Sequence, residues 1–266
     1  MKTVAFQEIV WDQGRRLYRS MPWRDTTDPY RILVSELMLQ QTQVDRVAPK
    51  YEAFLQRFPS VERLAEASLA DVLVLWSGLG YNRRAKFLHA SAQKIVTQFG
   101  AQVPDNVDAL VTLPGVGPNT AAAIMAYSHN APVSFVETNI RTVYFHHFFA
   151  DAHSVDDAEL LALVRDTLDR EHPREWYWAL MDYGSFLKKQ GAGRLSTSSH
   201  YKKQTPLEGS MRQVRGQIVK ALTGDSKTEI AIRAEVSADE RFGVALANLI
   251  AEGLVMQTGA HLHLTK

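Results

Sequence analysis

Residues 113–120 read Leu-Pro-Gly-Val-Gly-Pro-Asn-Thr, and a carboxylate, Glu137, follows about twenty residues later. Glycine allows a tight turn with positive φ and lets a second molecule approach the backbone closely. Pro118 suits the first turn of a helix. The segment therefore predicts a helix, a glycine turn and a second helix. Free N–H groups at the start of that second helix form a ready site for a phosphate oxygen. The residues alone leave two readings. One is an ordinary connection between helices. The other is a hairpin that grips one DNA phosphate, with a carboxylate nearby to act on a base.

Bulk properties narrow the choice. A chain of 266 residues, 45% hydrophobic, can form one large domain or two modest ones with a sizeable core. A formal charge of +1 excludes a strongly basic molecule overall. The charge is uneven, however. Eight Lys or Arg lie between Lys188 and Lys220 against one acid, Glu208, whereas the stretch from Asp151 to Glu171 is acid-rich. Such asymmetry allows one face to meet a polyanion. The absence of cysteine excludes disulfides, thiolate catalysis and cysteine-built zinc or iron–sulfur sites, so no cofactor is expected. Met1 to Tyr18 reads as an amphipathic helix, not a signal peptide. No apolar run reaches membrane-spanning length. The expectation is a soluble, monomeric protein of the cytoplasm, associated with the nucleoid.

Helical periodicity dominates the first two hundred residues. Apolar side chains recur at three and four in Ile32, Leu33, Leu37, Val44 and Val47, again from Val61 to Leu75, and in Phe87, Leu88, Ala92 and Ile95. Asp71, Asp105 and Thr120 are candidate capping or first-turn residues. No strand alternation stands out before residue 250. Gly191 to Thr205 reads as a linker. The tail then predicts helices at Arg212–Leu222, Thr228–Ala234 and Ser237–Glu252. A hairpin follows around Thr258-Gly259-Ala260. Three helices and a hairpin match the winged helix–turn–helix plan. The expected organisation is all-α, with a helical domain over 1–204 and a winged-helix domain over 205–266.

Longer motifs then carry a resemblance. Pro22-Trp23-Arg24, Asp28-Pro29-Tyr30 and Ser35-Glu36-Leu37-Met38-Leu39-Gln40-Gln41-Thr42-Gln43 resemble the MutY-type adenine DNA glycosylases of the helix–hairpin–helix (endonuclease III) superfamily. Trp76-Ser77-Gly78-Leu79-Gly80-Tyr81, the hairpin, and Glu137-Thr138-Asn139-Ile140-Arg141 extend the likeness, which covers about residues 5 to 187. It implies two helical subdomains with a cleft, double-stranded DNA with a mismatch or damaged base as partner, and excision of a base flipped from the duplex. Glu36 matches the catalytic glutamate. A departing purine needs a proton, and the apolar neighbours of Glu36 favour keeping one near neutral pH.

Glu137 stands where the superfamily has an aspartate that stabilises the sugar cation. The extra methylene retains charge but changes reach. Normal function with a shifted sugar, altered substrate choice and lost activity all remain open. Asn119 occupies the place of the lyase lysine, and an amide cannot form a Schiff base, so a monofunctional glycosylase is implied. Gln41 and Tyr81 match residues that fill the gap left by the flipped base. Trp23, Arg24 and Gln43 are candidates for the base pocket, and Gln40 for substrate or DNA binding. Leu113, Gly115, Val116, Gly117, Asn119, Thr120 and Asn139 are candidates for the DNA interface, and Lys202 and Lys203 for phosphate contacts. His146 and His147 read as structural, because adjacent helical residues point to different faces.

Two departures from the resemblance stand out. The chain lacks the four cysteines of the usual iron–sulfur cluster, and its tail does not look like the Nudix-like domain that helps read 8-oxoguanine. The favoured activity is removal of adenine opposite 8-oxoguanine or guanine. The alternatives are a glycosylase for uracil or thymine in a mismatch, or another damaged base, and a lesion-binding protein that does not cut.

Overall fold

A computed structural model describes residues 1–150, 155–192, 206–236 and 239–265. Its helices, in chain order, are α1 (Thr3–Leu17), α2 (Pro29–Leu39), α3 (Val44–Arg57), α4 (Val61–Glu66), α5 (Leu69–Trp76), α6 (Arg83–Gln98), α7 (Val107–Leu110), α8 (Pro118–His129), α9 (Thr138–Phe148), α10 (Asp157–Thr167), α11 (Pro173–Lys189), α12 (Met211–Ala221), α13 (Glu229–Glu235) and α14 (Arg241–Ala251). Three short strands follow the same numbering: β1 (Lys227–Thr228), β2 (Val255–Thr258) and β3 (His261–Leu264). Two compact units emerge. One holds Met1–Ile32, Asp105–Val111 and Val116–Lys203; the other holds Leu33–Pro104, Thr112–Gly115 and Gln204–Lys266.

The first unit is organised around aromatic side chains. Phe6 and Val10, one helical turn apart on α1, are fully buried with Val143 and Tyr144 of α9, Leu160 and Val164 of α10, and Trp176 and Leu180 of α11. Phe6 lies 5.0 Å from Tyr144 and 4.9 Å from Phe148, ring centre to ring centre. Each such side chain contributes about 1.5–3 kcal/mol by leaving water, which explains why the i, i+4 spacing of α1 is decisive. His147 belongs to this core. Burial, reinforced by neighbouring His146, lowers its pKa to about 4, and its Nε2 sits 2.9 Å from the Tyr183 hydroxyl.

The second unit joins the helices after residue 33 to the tail. Phe54, Phe58 and Trp76 pack edge to face. In the tail, Ile218, Ile232, Phe242, Leu249, Leu262 and Leu264 are buried beneath three helices and an antiparallel sheet of order β1-β3-β2. Val255 opposes Leu264 and Gln257 opposes Leu262. Leu262 and Leu264 turn inward while His261 is exposed, the alternation of a half-buried strand. The hairpin lies where the sequence places it.

Strand β1 is the exception to the expectation of no strand before residue 250. At two residues it is too short to show alternation, and Thr228 also caps α13 by accepting from the Ala231 N–H at 3.3 Å. Asp71 and Thr120 lie in the first turns of α5 and α8, and only Asp105 differs from the capping expectation. Asn106, not Asp105, caps α7, and Ser68 caps α5. The last of the tail's helices begins at Arg241, later than Ser237. The tail falls in the same compact unit as residues 33–104 and 112–115. Most of the 191–205 linker lies outside the described residues.

Candidate active site and nucleic-acid interface

The glutamine string is built on the end of α2. Ser35, Leu37 and Met38 are buried, and Glu36 between them is half-buried, so an acidic side chain rides on an otherwise apolar helix. The last carbonyls of any helix lack partners within it. Here the buried Arg84 supplies them. Its Nη1 donates to the carbonyls of Leu37 at 2.8 Å, Met38 at 2.7 Å and Gln40 at 2.5 Å. Its Nη2 donates to Thr42 Oγ1 at 2.9 Å and to the Gly80 carbonyl at 3.0 Å. A cation at a helix C-terminus is also favoured by the helix dipole. Burial lowers Arg84 to about 10, which leaves it charged at neutral pH. This residue holds the Glu36 helix and the Gly80-Tyr81 turn together. The sequence reading missed it, because nothing in the Arg83-Arg84 pair at the start of α6 reports the carbonyl partners of Arg84.

Gln40 reaches from this string to the hairpin, where its Nε2 donates to the Gly115 carbonyl at 3.2 Å. Ser91 and Lys94 of α6 each donate to a hairpin carbonyl, Pro114 and Thr112 respectively, both at 2.8 Å. Gly115 has φ +78°, and a Cβ there would meet Phe87 Cβ at 2.8 Å. Both the backbone and the close approach require glycine at this position. Leu113 and Val116 are buried, so their side chains hold the hairpin and only their backbone can meet DNA. Gly117, Pro118 and Asn119 are exposed at the start of α8, and the N-cap residue Gly117 supplies no side-chain cap. That is the arrangement a phosphate oxygen requires. Thr120 sits half-buried in the same first turn.

Glu137 is positioned by backbone. It is the N-cap residue of α9, and its side chain makes no capping hydrogen bond. Part of its surface stays accessible, yet its carboxyl is surrounded by protein atoms, and burial raises its pKa. Immediately before it, Val136 is pinned by Asn119, whose Nδ2 donates to the Val136 carbonyl at 3.0 Å. Two residues after it, the Asn139 carbonyl lies where a Cβ on Gly184 would be only 2.1 Å away. The Met-Asp-Tyr-Gly run on α11 thus lets α9 approach closely enough to fix Glu137. The Asn139 amide faces Met181 Sδ at 3.9 Å.

Asp182 of the same run has a second task. Arg24 donates to both its carboxylate oxygens, at 2.7 and 3.1 Å, and Arg19 adds a third bond at 2.7 Å. Arg24 also lies over the rings of Tyr18 and Trp178. Its guanidinium is buried in this ion pair and is no lining for an open base pocket. This corrects the expectation for Arg24. Trp23, 8% exposed, is buried beside it on the 3-10 turn Pro22–Arg24. Nothing before residue 182 hinted that Arg24 has an acidic partner far along the chain.

Known proteins are similar to this chain in sequence and fold. The description "HhH-GPD superfamily base excision DNA repair protein" fits residues 34–165. An adenine DNA glycosylase from Mycobacterium tuberculosis is 34% identical, with 94% of this chain and 89% of that protein aligned. Another from Mycolicibacterium smegmatis is 36% identical over 93% of this chain and 90% of its own. This chain belongs to the adenine DNA glycosylase family. Among solved structures, a thermostable thymine-DNA glycosylase superposes with a TM-score of 0.66 at 25% identity, covering 75% of this chain and 96% of its own.

As a member of the adenine DNA glycosylase family, this chain shows two notable features. It has no cysteine, so it binds no iron–sulfur cluster. Its tail supplies side chains to a cavity of about 390 Å³ beside Gln41 and Tyr81. Gln41 and Tyr81 both have left-handed backbones, with φ +56° and +49°. Gln41 is exposed, as is Gln43, the N-cap of α3. The sequence reading missed the tail's share of this cavity, contributed by Arg212, Arg215 and Glu252. Lys202 and Lys203 lie outside the described residues. No helix among those described is long and apolar enough to cross a membrane.

Proposed function

We propose that this chain removes adenine from duplex DNA by hydrolysing its N-glycosidic bond, with 8-oxoguanine or guanine opposite. The similarity to adenine DNA glycosylases over 94% of the chain carries this reading. Glu36 is the general acid. It donates a proton to the departing purine as the bond between base and sugar breaks. Glu137, as carboxylate, faces the positive charge that develops on the sugar, and this interaction is stronger in the transition state than in the ground state. Water then bonds to the sugar carbon and gives up its proton, leaving an abasic site. The exposed start of α8 binds one phosphate of the duplex, and Lys202 and Lys203 add sequence-independent phosphate contacts. The chain acts as a monomer in the cytoplasm, on the nucleoid.

Strand cleavage is not part of this chemistry. The Asn119 amide cannot form a Schiff base, and it is engaged with Val136. The test is a single-turnover assay on duplexes carrying A:8-oxoG, A:G, U:G, T:G and hypoxanthine, with borohydride added in a parallel arm. Excision confined to adenine, with little covalent trapping, supports the proposal. Preferential release of uracil or thymine, or efficient trapping, overturns it.

A further inference from the structure

The turn that carries Tyr81 is over-determined. The Gly80 carbonyl accepts from Trp76 Nε1 at 3.1 Å and from Arg84 Nη2 at 3.0 Å. Tyr81 itself takes a left-handed backbone that L-residues with bulky side chains rarely adopt. Strain of this kind persists only where surrounding structure holds it, and it points to a side chain aimed for a purpose. The ring is gripped by two cations. The guanidinium of Arg84 lies 5.4 Å from its centroid, and that of Arg212 lies 5.1 Å from it. Arg212 also donates to the Tyr81 hydroxyl at 2.6 Å.

Arg212 belongs to the tail and reaches Tyr81 from the first turn of α12. That helix is itself anchored. Arg215, one turn on, makes a bidentate pair with Glu252 at 3.1 and 2.6 Å, and Lys86 of α6 donates to the Glu252 carbonyl at 2.5 Å. The guanidinium of Arg212 is therefore delivered to a fixed place on the wall of the 390 Å³ cavity, beside Gln40, Gln41 and Asn82. An aromatic face, side-chain amides and a guanidinium fork are the groups that recognise a planar base with acceptor oxygens and nitrogens on its edge.

We propose that Arg212 is a specificity-determining residue that also presents its guanidinium fork to the base. It orients Tyr81 through its hydroxyl, and with it the tail reads the base opposite the excised one, selecting a 6-oxopurine edge. This rests on the proposed action on DNA, but not on which base is released. The tail is then part of base reading and not an accessory tether.

The experiment uses the full chain and duplexes with a tetrahydrofuran abasic analogue opposite G, 8-oxoG, C or T, so that binding is read without excision. Wild type should prefer G and 8-oxoG. R212M should reduce that preference about tenfold or more, within the discrimination a bidentate arginine contact supplies. Its affinity for undamaged duplex should change less than about twofold, a smaller loss than a phosphate contact gives. Y81F, which removes only the hydroxyl, should show a similar loss, and the double variant should be no worse than the poorer single one. R212K, keeping charge without the fork, should recover only part of the preference. Equal weakening on every duplex, an intact preference in R212M, or additive losses in the double variant would each overturn the proposal. So would a wild type indifferent to the opposite base. Failure to excise adenine leaves this test unaffected and counts against the proposed reaction alone. Should R212M not fold, Y81F carries the same comparison.

Discussion

The two candidate catalytic carboxylates, Glu36 and Glu137, are housed in opposite ways. Glu36 rides in the last turn of α2, the helix end where one buried arginine satisfies the terminal carbonyls. Glu137 caps a helix start and is held by backbone on both sides, through Asn119 before it and the close approach of Gly184 after it. The first support is electrostatic and concentrated in one side chain. The second is steric and distributed over several small contacts. A helix N-terminus favours the ionised form of a nearby acid, yet the pKa of Glu137 is raised, so burial outweighs the dipole here. The difference teaches that position in a helix does not set the chemistry of an acid; the atoms around its carboxyl do.

The comparison breaks most sharply at Gly184. Gly184→Ala places a Cβ within 2.1 Å of the Asn139 carbonyl, and two packed backbones must separate to admit it. A misplacement of about 1 Å costs on the order of 100-fold in rate. Single-turnover excision should fall by about that factor or more, with duplex affinity little changed. Wild-type rates in Gly184→Ala would show that Glu137 is not positioned through α11.

Arg84 probes the other support. Arg84→Met keeps length but leaves the carbonyls of Leu37, Met38 and Gln40 without this donor. Each unsatisfied buried group costs about 1–3 kcal/mol. Urea unfolding should show a loss of about 3 kcal/mol or more. Excision should fall as well, because the Glu36 helix end and the Tyr81 turn loosen together. A stability within about 0.5 kcal/mol of wild type, the ordinary range for a surface substitution, would mean that other groups close α2.

The smallest effect concerns pH and stability. The folded pKa of Glu137 lies above its ordinary value of 4.5. Below 4.5 the folded and unfolded chains both hold the proton, and the residue adds no pH dependence. As pH rises toward the folded value, the unfolded chain releases its proton while the native chain keeps it, and native stability falls. Above the folded value the whole penalty stands. Glu137→Gln should therefore gain stability over wild type as pH rises from below 4.5 to neutrality, measured as the difference in Tm across that range. A constant difference would place the carboxyl in an environment no less polar than water.

Much of this was legible in the sequence, for identifiable reasons. Helices over the first two hundred residues follow from apolar spacing, and the tail hairpin follows from alternation around Gly259. The hairpin glycines announce a turn, and Glu36 and Glu137 stand in strings long enough to identify. What could not be read were partnerships across long separations. Arg24 with Asp182, Arg84 with the end of α2, and Arg212 with Tyr81 are each a cation whose partner lies elsewhere in the chain. Charge composition counts arginines without saying which are buried. Strand β1 was missed because two residues carry no period.

The central claim is that the two carboxylates divide the work, Glu36 giving a proton and Glu137 holding a negative charge. The most direct measurement is the pH dependence of single-turnover adenine excision for wild type and Glu137→Gln at saturating enzyme. Wild-type rate should fall on the acid side, as Glu137, whose pKa is raised by burial, takes up a proton. Glu137→Gln should be slower by about 100-fold or more and should lack this acid limb. An acid limb that persists unchanged in Glu137→Gln would contradict the account.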